Sequence, residues 1–201
     1  MPKPLSNEER INIKRRLHEA VEKSLQKYGA KKTTVDSLVK TINIPKGTFY
    51  LFYPSKAMLI YEVFQNKHDE LQKDFINQVI NIKDNLNTTT MTELIFKIYK
   101  KLDSSFLMSF MTSGDLELIF KQLPDEVIKK HIEGDDVSME SILKIIPNFN
   151  ESKTELYSAS LRLVMTSVLH KNEVGNNIYD EALKLSIKGI VNQIFEEINH
   201  D

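Results

Sequence analysis

The chain of 201 residues carries a formal net charge of −1, and 41% of its residues are hydrophobic. It has no cysteine, which excludes disulfides and thiolate metal sites. No apolar run reaches the roughly 18 residues of a membrane span. Met1 to Arg10 lack the apolar centre of a signal peptide, so a soluble, cytoplasmic protein is expected. Six glycines and six prolines are few for this length and favour helices over a turn-rich β fold.

The charge is unevenly placed. Residues 1–56 hold 12 Lys and Arg against 5 Asp and Glu, whereas the rest of the chain holds 15 against 23. A basic head on an acidic body suggests that the head meets a polyanion.

Apolar periodicity predicts a first helix from about Asn7 to Tyr28. Ile13, Leu17, Ala20, Val21, Leu25 and Tyr28 lie on one face, and Gly29 follows as a natural stop. Thr33 or Thr34 can cap a second helix that runs to about Thr41, with Val35, Leu38, Val39 and Ile42 facing inward. Asn43 falls where the turn needs a positive φ, and Pro45 can open a third helix at its first position. Two short helices joined by a turn of about four residues read as a helix-turn-helix. The third helix carries Phe49, Tyr50, Phe52 and Tyr53 between Lys46 and Lys56. Phe49 and Phe52, one turn apart, are expected to face inward.

The run Thr34-Val35-Asp36-Ser37-Leu38-Val39, then Asn43-Ile44-Pro45-Lys46-Gly47-Thr48-Phe49-Tyr50, then Phe52-Tyr53-Pro54-Ser55-Lys56, resembles the DNA-binding head of the TetR family of transcriptional regulators. The match covers about residues 10–60. The chain departs from the family pattern at Val39 and Ile42, where small residues are usual, at Asn43 (usually Gly) and at Pro45 (usually a capping Ser). The resemblance implies an all-α fold: a three-helix helix-turn-helix head, residues 1–54, on a larger helical effector-binding and dimerisation domain, residues 55–201. It implies DNA contacts from Thr34, Lys46, Gly47, Thr48, Tyr50 and Lys56. Lys46 and Thr48 would read bases, Gly47 would allow close backbone approach, and Thr34 and Lys56 would reach phosphate.

Beyond Lys56 the pattern is helical throughout. Helix 4 is expected from Ser55 to about Ile82, and a fifth helix capped by Thr90 follows a polar loop. A short apolar helix spans Phe106–Met111, and Asp115–Gln122 forms another. A longer helix opens at Pro124 and reaches Ile146, with Gly134 as a possible kink. Helices at about 152–171 and 176–199 close the chain. Aromatic and methionine side chains make adaptable apolar pockets, so Phe106, Phe110 and Met111 are effector candidates, joined by Phe64, Tyr99 and Met165. His68 either touches a ligand or sits at the surface. The last two helices are apolar on more than one stripe, where a surface helix needs one. With the family resemblance, this places a homodimer interface at Leu156, Leu163, Ser167, Leu183, Ile187, Ile190 and Ile194.

No enzyme constellation emerges: there is no Gly-rich phosphate loop, no His-Glu-x-x-His and no nucleophile elbow. His131 and Asp135 are spaced i, i+4, which without a third ligand argues weakly for metal. No metal, cofactor or membrane partner is expected. The expected partners are double-stranded operator DNA, a small-molecule effector and a second copy of the chain. The reading is a ligand-responsive regulator, a repressor by preference. Its rivals are a helix-turn-helix protein controlled by a partner protein, and a helical enzyme or adaptor with a vestigial head.

Overall fold

The computed structural model describes residues 5–131 and 143–200, which are helical with no strand among them. The helices are α1 (Asn7–Lys32), α2 (Val35–Ile42), α3 (Lys46–Tyr50), α4 (Lys56–Ile82), α5 (Thr88–Asp103), α6 (Phe106–Thr112) and α7 (Asp115–Phe120). Residues 125–131 form α8. They are followed by α9 (Thr154–Ser167), α10 (Lys171–Val174) and α11 (Tyr179–His200). Gly134, the expected kink, and Asp135 lie outside the described residues. The chain forms two compact units. One joins Met1–His68 to Ser109–Asp125, and the other joins Asp69–Met108 to Glu126–Asp201. The units do not divide at the boundary after residue 54 expected from sequence, because α7 packs on α1.

In the first unit, α1 opens with a capping box. Ser6 Oγ accepts from Glu9 N at 3.2 Å, and Ser6 N donates to Glu9 Oε2 at 2.7 Å, so two orphan donors of the helix start are satisfied. Leu17, Ala20, Val21 and Leu25 are buried, as their spacing predicts. The helix breaks at Gly29, with φ 73° and ψ 174°, and then continues for one more turn. Thr34 caps α2 in a second reciprocal box with Ser37. Asn43 ends α2 in the left-handed region at φ 53°. Ile44 N then donates to Val39 O at 3.0 Å, closing the turn. Pro45 is the N-cap of α3, one position earlier than expected.

The inward pair of the aromatic segment is Phe49 and Tyr53; Phe52 is only half-buried. Tyr53 N donates to Phe49 O at 3.0 Å, which carries the helical register past the end of α3. The i, i+4 pair therefore faces the core together. The Tyr53 hydroxyl reaches His18 Nε2 at 2.8 Å and donates to Glu62 Oε1 at 3.3 Å. Burial holds the His18 pKa below its ordinary value, with Lys14 acting in the same direction and Glu62 opposing both.

In the second unit, Val79, Leu94 and Ile98 are buried together, with Phe75, Ile76, Ile82 and Ile145 packed around them. α11 packs along α5 and against α9. Tyr99 donates its hydroxyl to Leu161 O at 2.9 Å, fixing α5 to α9 in the dry interior. Ion pairs rim this packing: Lys100 with Asp180 at 2.7 Å and Lys171 with Asp103 at 2.8 Å. Asn87 caps α5 in place of the expected Thr90, whose hydroxyl closes the same capping box from the third helical position.

The break at Gly29 occupies a region of φ/ψ space open in practice to glycine alone. A Cβ there would also lie 3.1 Å from Asp115 Oδ2, the oxygen that accepts from Ala30 N at 2.7 Å. Gly29→Ala should therefore cost about 1–3 kcal/mol of stability from backbone strain alone. Urea unfolding of the variant against wild type measures it.

Candidate nucleic-acid interface

The surface of the first unit around α3 is built by short helices whose caps leave few choices of direction. α3 is held by Phe49, which is fully enclosed, while its opposite side faces outward. Tyr50 is 52% exposed and Leu51 63% exposed. Gly47 is exposed, and no atom lies within 4 Å of where its Cβ would sit. Nothing within the chain therefore demands glycine at this position. Thr48 is half-buried. Thr34 is exposed, and its hydroxyl accepts from Ser37 N at 3.1 Å while capping α2.

Two of the expected cations are engaged by the chain itself. The Lys46 ammonium lies 2.9 Å from Asp36 Oδ1, and the hydrogen bond to Asp36 raises its pKa. Lys56, expected to reach phosphate, instead donates to Ala30 O at 2.7 Å and Thr33 O at 2.8 Å. It closes the corner between α1 and α2, where backbone carbonyls left without helical partners favour a cation. Burial lowers the Lys56 pKa, and Asp115 opposes that shift. Three cations of α1 are likewise engaged. Arg10 lies over the Phe52 ring at 5.0 Å, Lys14 pairs with Glu62 at 2.7 Å, and Arg16 donates to Ile42 O. No local pattern signals the Asp36 and Ile42 partners, which arise from how the helices of the head cross.

The seven effector candidates do not fall in one unit. Phe64, His68, Phe110 and Met111 belong to the first, and Tyr99, Phe106 and Met165 to the second. In the first unit the Phe64 and Phe110 rings lie 6.0 Å apart, and His68 stacks on Phe64 at 6.5 Å. Phe120 and Tyr61 join this cluster, with Phe120 6.4 Å from Phe64 and 6.1 Å from Tyr61. Sequence reasoning missed both. Tyr61 stands one helical turn before Phe64, a spacing that could have found it. The Tyr99 hydroxyl is occupied by Leu161 O, and burial raises its pKa.

Three interface candidates need correction. Leu183, Ile187 and Ile194 are buried inside the single chain, where α11 packs along α5 and against α9. They follow one helical stripe, and that stripe serves the chain's own core. Ser167 Oγ is engaged with Val164 O at 2.6 Å and the Tyr179 hydroxyl at 3.0 Å. Ile190 is half-buried. Leu156 and Leu163 do face outward on α9, with Leu163 73% exposed, and α11 adds Leu185 at 72%. Among the described residues no group of three or more His, Cys, Asp and Glu could hold a metal ion. Nor is any helix there long and apolar enough to cross a membrane.

No family profile matches the chain. It is 36% identical over 63 residues to YhgD, an uncharacterised HTH-type transcriptional regulator of Bacillus subtilis; that match spans 31% of this chain and 33% of the relative. The chain therefore aligns with only about a third of the curated relative's length. Among solved structures, a TetR-family transcriptional regulator of Mesorhizobium loti superposes with a TM-score of 0.69 at 13% identity, over 92% of this chain and 96% of the other. The transcriptional regulator FadR of Bacillus subtilis, solved with stearoyl-CoA, superposes with a TM-score of 0.57 at 15% identity, over 88% and 97%. With helices throughout its described residues and a helix-turn-helix at α2 and α3, the chain has the fold of the TetR-family transcriptional regulators.

Proposed function

We propose that the chain is a DNA-binding transcriptional regulator of the TetR family, a cytoplasmic homodimer that represses from a palindromic operator and is released by a small apolar or amphipathic effector. One observation carries the reading. A helix-turn-helix that resembles the family's head exposes Lys46, an unobstructed Gly47 and Tyr50 on α3, with Thr48 half-buried among them, in the basic part of the chain. An exposed glycine with no neighbour is explained by something that approaches from outside. A nucleic-acid backbone or base edge is the approach that the surrounding charge favours.

Selection of bound sequences from random duplex DNA tests this directly. Recovery of one salt-sensitive consensus supports it; absence of any sequence-selective binding would sink it. With the recovered duplex in hand, Gly47→Ala should leave stability unchanged or slightly raised, because alanine is the better helix former. The same variant should weaken DNA binding. Lys46→Ala and Tyr50→Ala should each weaken binding with little loss of stability, since both side chains are exposed. A Gly47→Ala protein that binds as wild type would remove close backbone approach from the account.

The dimer reading is supported by the outward leucines of α9 and α11 beside Ser186 and Gly189, small residues that permit close helix approach. No atom lies within 4 Å of a Cβ built on Gly189. A two-fold dimer should select a pseudo-palindrome with half-sites about one helical turn, or a small multiple of it, apart. Leu163→Glu or Leu185→Glu would set like charges against each other across the axis and should yield folded monomers by sedimentation. An unaltered dimer would move the interface elsewhere.

An apolar effector class is supported by the Phe64, Phe110 and Phe120 rings and by the FadR neighbour's acyl-CoA. Stearoyl-CoA is therefore the first compound to titrate into the operator complex. Linkage requires that it weaken DNA binding by the factor by which DNA weakens it, roughly 5–150-fold for a coupling of about 1–3 kcal/mol. Equal DNA affinity with and without saturating stearoyl-CoA would remove this ligand.

A further inference from the structure

Between Thr33 and Lys56 the chain holds one acidic residue, Asp36. It stands in the first turn of α2, ten positions before Lys46, the first residue of α3. The fold nevertheless brings them together. Lys46 Nζ lies 2.9 Å from Oδ1 and 3.1 Å from Oδ2 of Asp36. The two side chains are 51% and 73% exposed, so the pair stands in water on the outer surface of the head. An ion pair this solvated adds little to stability. It does place a carboxylate on the surface that the DNA-binding reading turns toward a polyanion.

We propose that Asp36 is a specificity-determining residue of the DNA-binding head, acting with Lys46 as a donor–acceptor couple that reads base edges and disfavours phosphate. The proposal rests on the DNA-binding function given above. A lysine ammonium is a compact charge on a flexible stem, free to follow any phosphate. Paired to Asp36, it keeps its charge, but the adjacent carboxylate offsets that charge locally and biases where the ammonium sits. To move onto a phosphate it must leave the carboxylate unpaired beside the DNA, where like charges repel. In place at the start of α3, the couple keeps at least one ammonium N–H for an acceptor, since lysine has three donors and the carboxylate two oxygens. Guanine O6 and N7 are the acceptors that lysine reads in the major groove. The carboxylate accepts in turn from a cytosine N4 amine. Each operator half-site should accordingly carry a G·C pair under this couple. Specificity is a difference of affinities, and a charge that penalises the wrong contact widens it.

Fluorescence anisotropy tests this with two probes: short duplexes of random sequence, and the duplex selected from them by the wild-type protein. Each is titrated over a range of KCl with wild type, Asp36→Asn, Asp36→Glu, Lys46→Ala and the Asp36→Asn/Lys46→Ala double variant. Asp36→Asn should bind the random duplexes several-fold tighter, with a log–log salt slope steeper by about one. Its preference for the selected duplex should fall by roughly fivefold or more, the low end of one good base contact. Asp36→Glu, which keeps the charge, should retain most of that preference. In the Lys46→Ala background, Asp36→Asn should cost less of the preference than it does in wild type, because the lysine half of the couple is already gone. An unchanged preference and slope in Asp36→Asn would overturn the proposal. So would an equal loss of preference with Lys46 already removed, which would assign the effect to bulk charge. Thermal melts of both exposed-site variants confirm that the fold is intact. If wild type itself shows no salt-sensitive binding to either probe, the DNA-binding function fails, and the proposal with it.

Discussion

The first unit turns on a corner that only glycine can make. At Gly29 the backbone leaves α1 at a positive φ, and the next turn offers its polar groups to partners from far along the chain. Ala30 N donates to the Asp115 carboxylate, while Ala30 O and Thr33 O accept from Lys56. Thr33 closes the inside of the corner. Its hydroxyl donates to Gly29 O at 2.9 Å and meets Ser24 Oγ at 2.8 Å. Ala30 and Thr33 are both fully enclosed. A buried polar group left without a partner costs about 1–3 kcal/mol, so the corner is stable only when α4 and α7 supply theirs. This is why Ser109–Asp125 belongs to the same compact unit as the helix-turn-helix.

How far the sequence could be read follows from the reach of each interaction. Local signals were legible: the Thr34 cap, the left-handed Asn43 and the stop at Gly29. All act within four residues. What depended on tertiary crossing was not legible. The carbonyls that hold Lys56 are 23 and 26 residues away, so its cationic charge read as a phosphate contact. On α11 the periodicity revealed two apolar stripes correctly, but nothing in the pattern says which stripe meets α5. Leu183, Ile187 and Ile194, expected at the interface, are buried within the chain. Phe52 and Tyr53 exchanged places for a smaller reason, since α3 ends early and the i, i+4 partner of Phe49 is the tyrosine.

The head's positive charge acts in two ways that composition cannot separate. Lys14, Arg15 and Arg16 each have a partner within the chain: Glu62, Glu19 and Ile42 O. A paired cation still contributes to the field of the whole head when neighbouring residues carry excess positive charge, and that field governs encounter. Screening confines it to about 8–10 Å at physiological salt. Close contact is then left to α3, the part of the head with the fewest acidic neighbours, where the Lys46 ammonium meets the single carboxylate of the motif. Under the proposed function, attraction and discrimination fall to different residues: the former to α1, the latter to α3 and its neighbour on α2.

The same division bears on how an effector could reach the DNA surface. Phe110 lies on α6 and is buried beside Phe64 of α4, within the first unit. Five residues after Phe110 the chain reaches Asp115, which holds the corner at Ala30, and eight residues before Phe64 stands Lys56, which holds it at Ala30 and Thr33. The starts of α4 and of α7, the helix that follows α6, therefore meet on one corner through polar contacts. Packed interiors rearrange between discrete states and do not deform smoothly. Under the proposed function, a ligand that separated the Phe64 and Phe110 rings would have to move α4, α6 or both. Each movement draws on a hydrogen bond of the corner, and the corner sets where α2 begins. Under the proposed function, a physical route from the aromatic cluster to Asp36 and Lys46 thus runs through Asp115 and Lys56, whose charges are held by the backbone of residues 30–33.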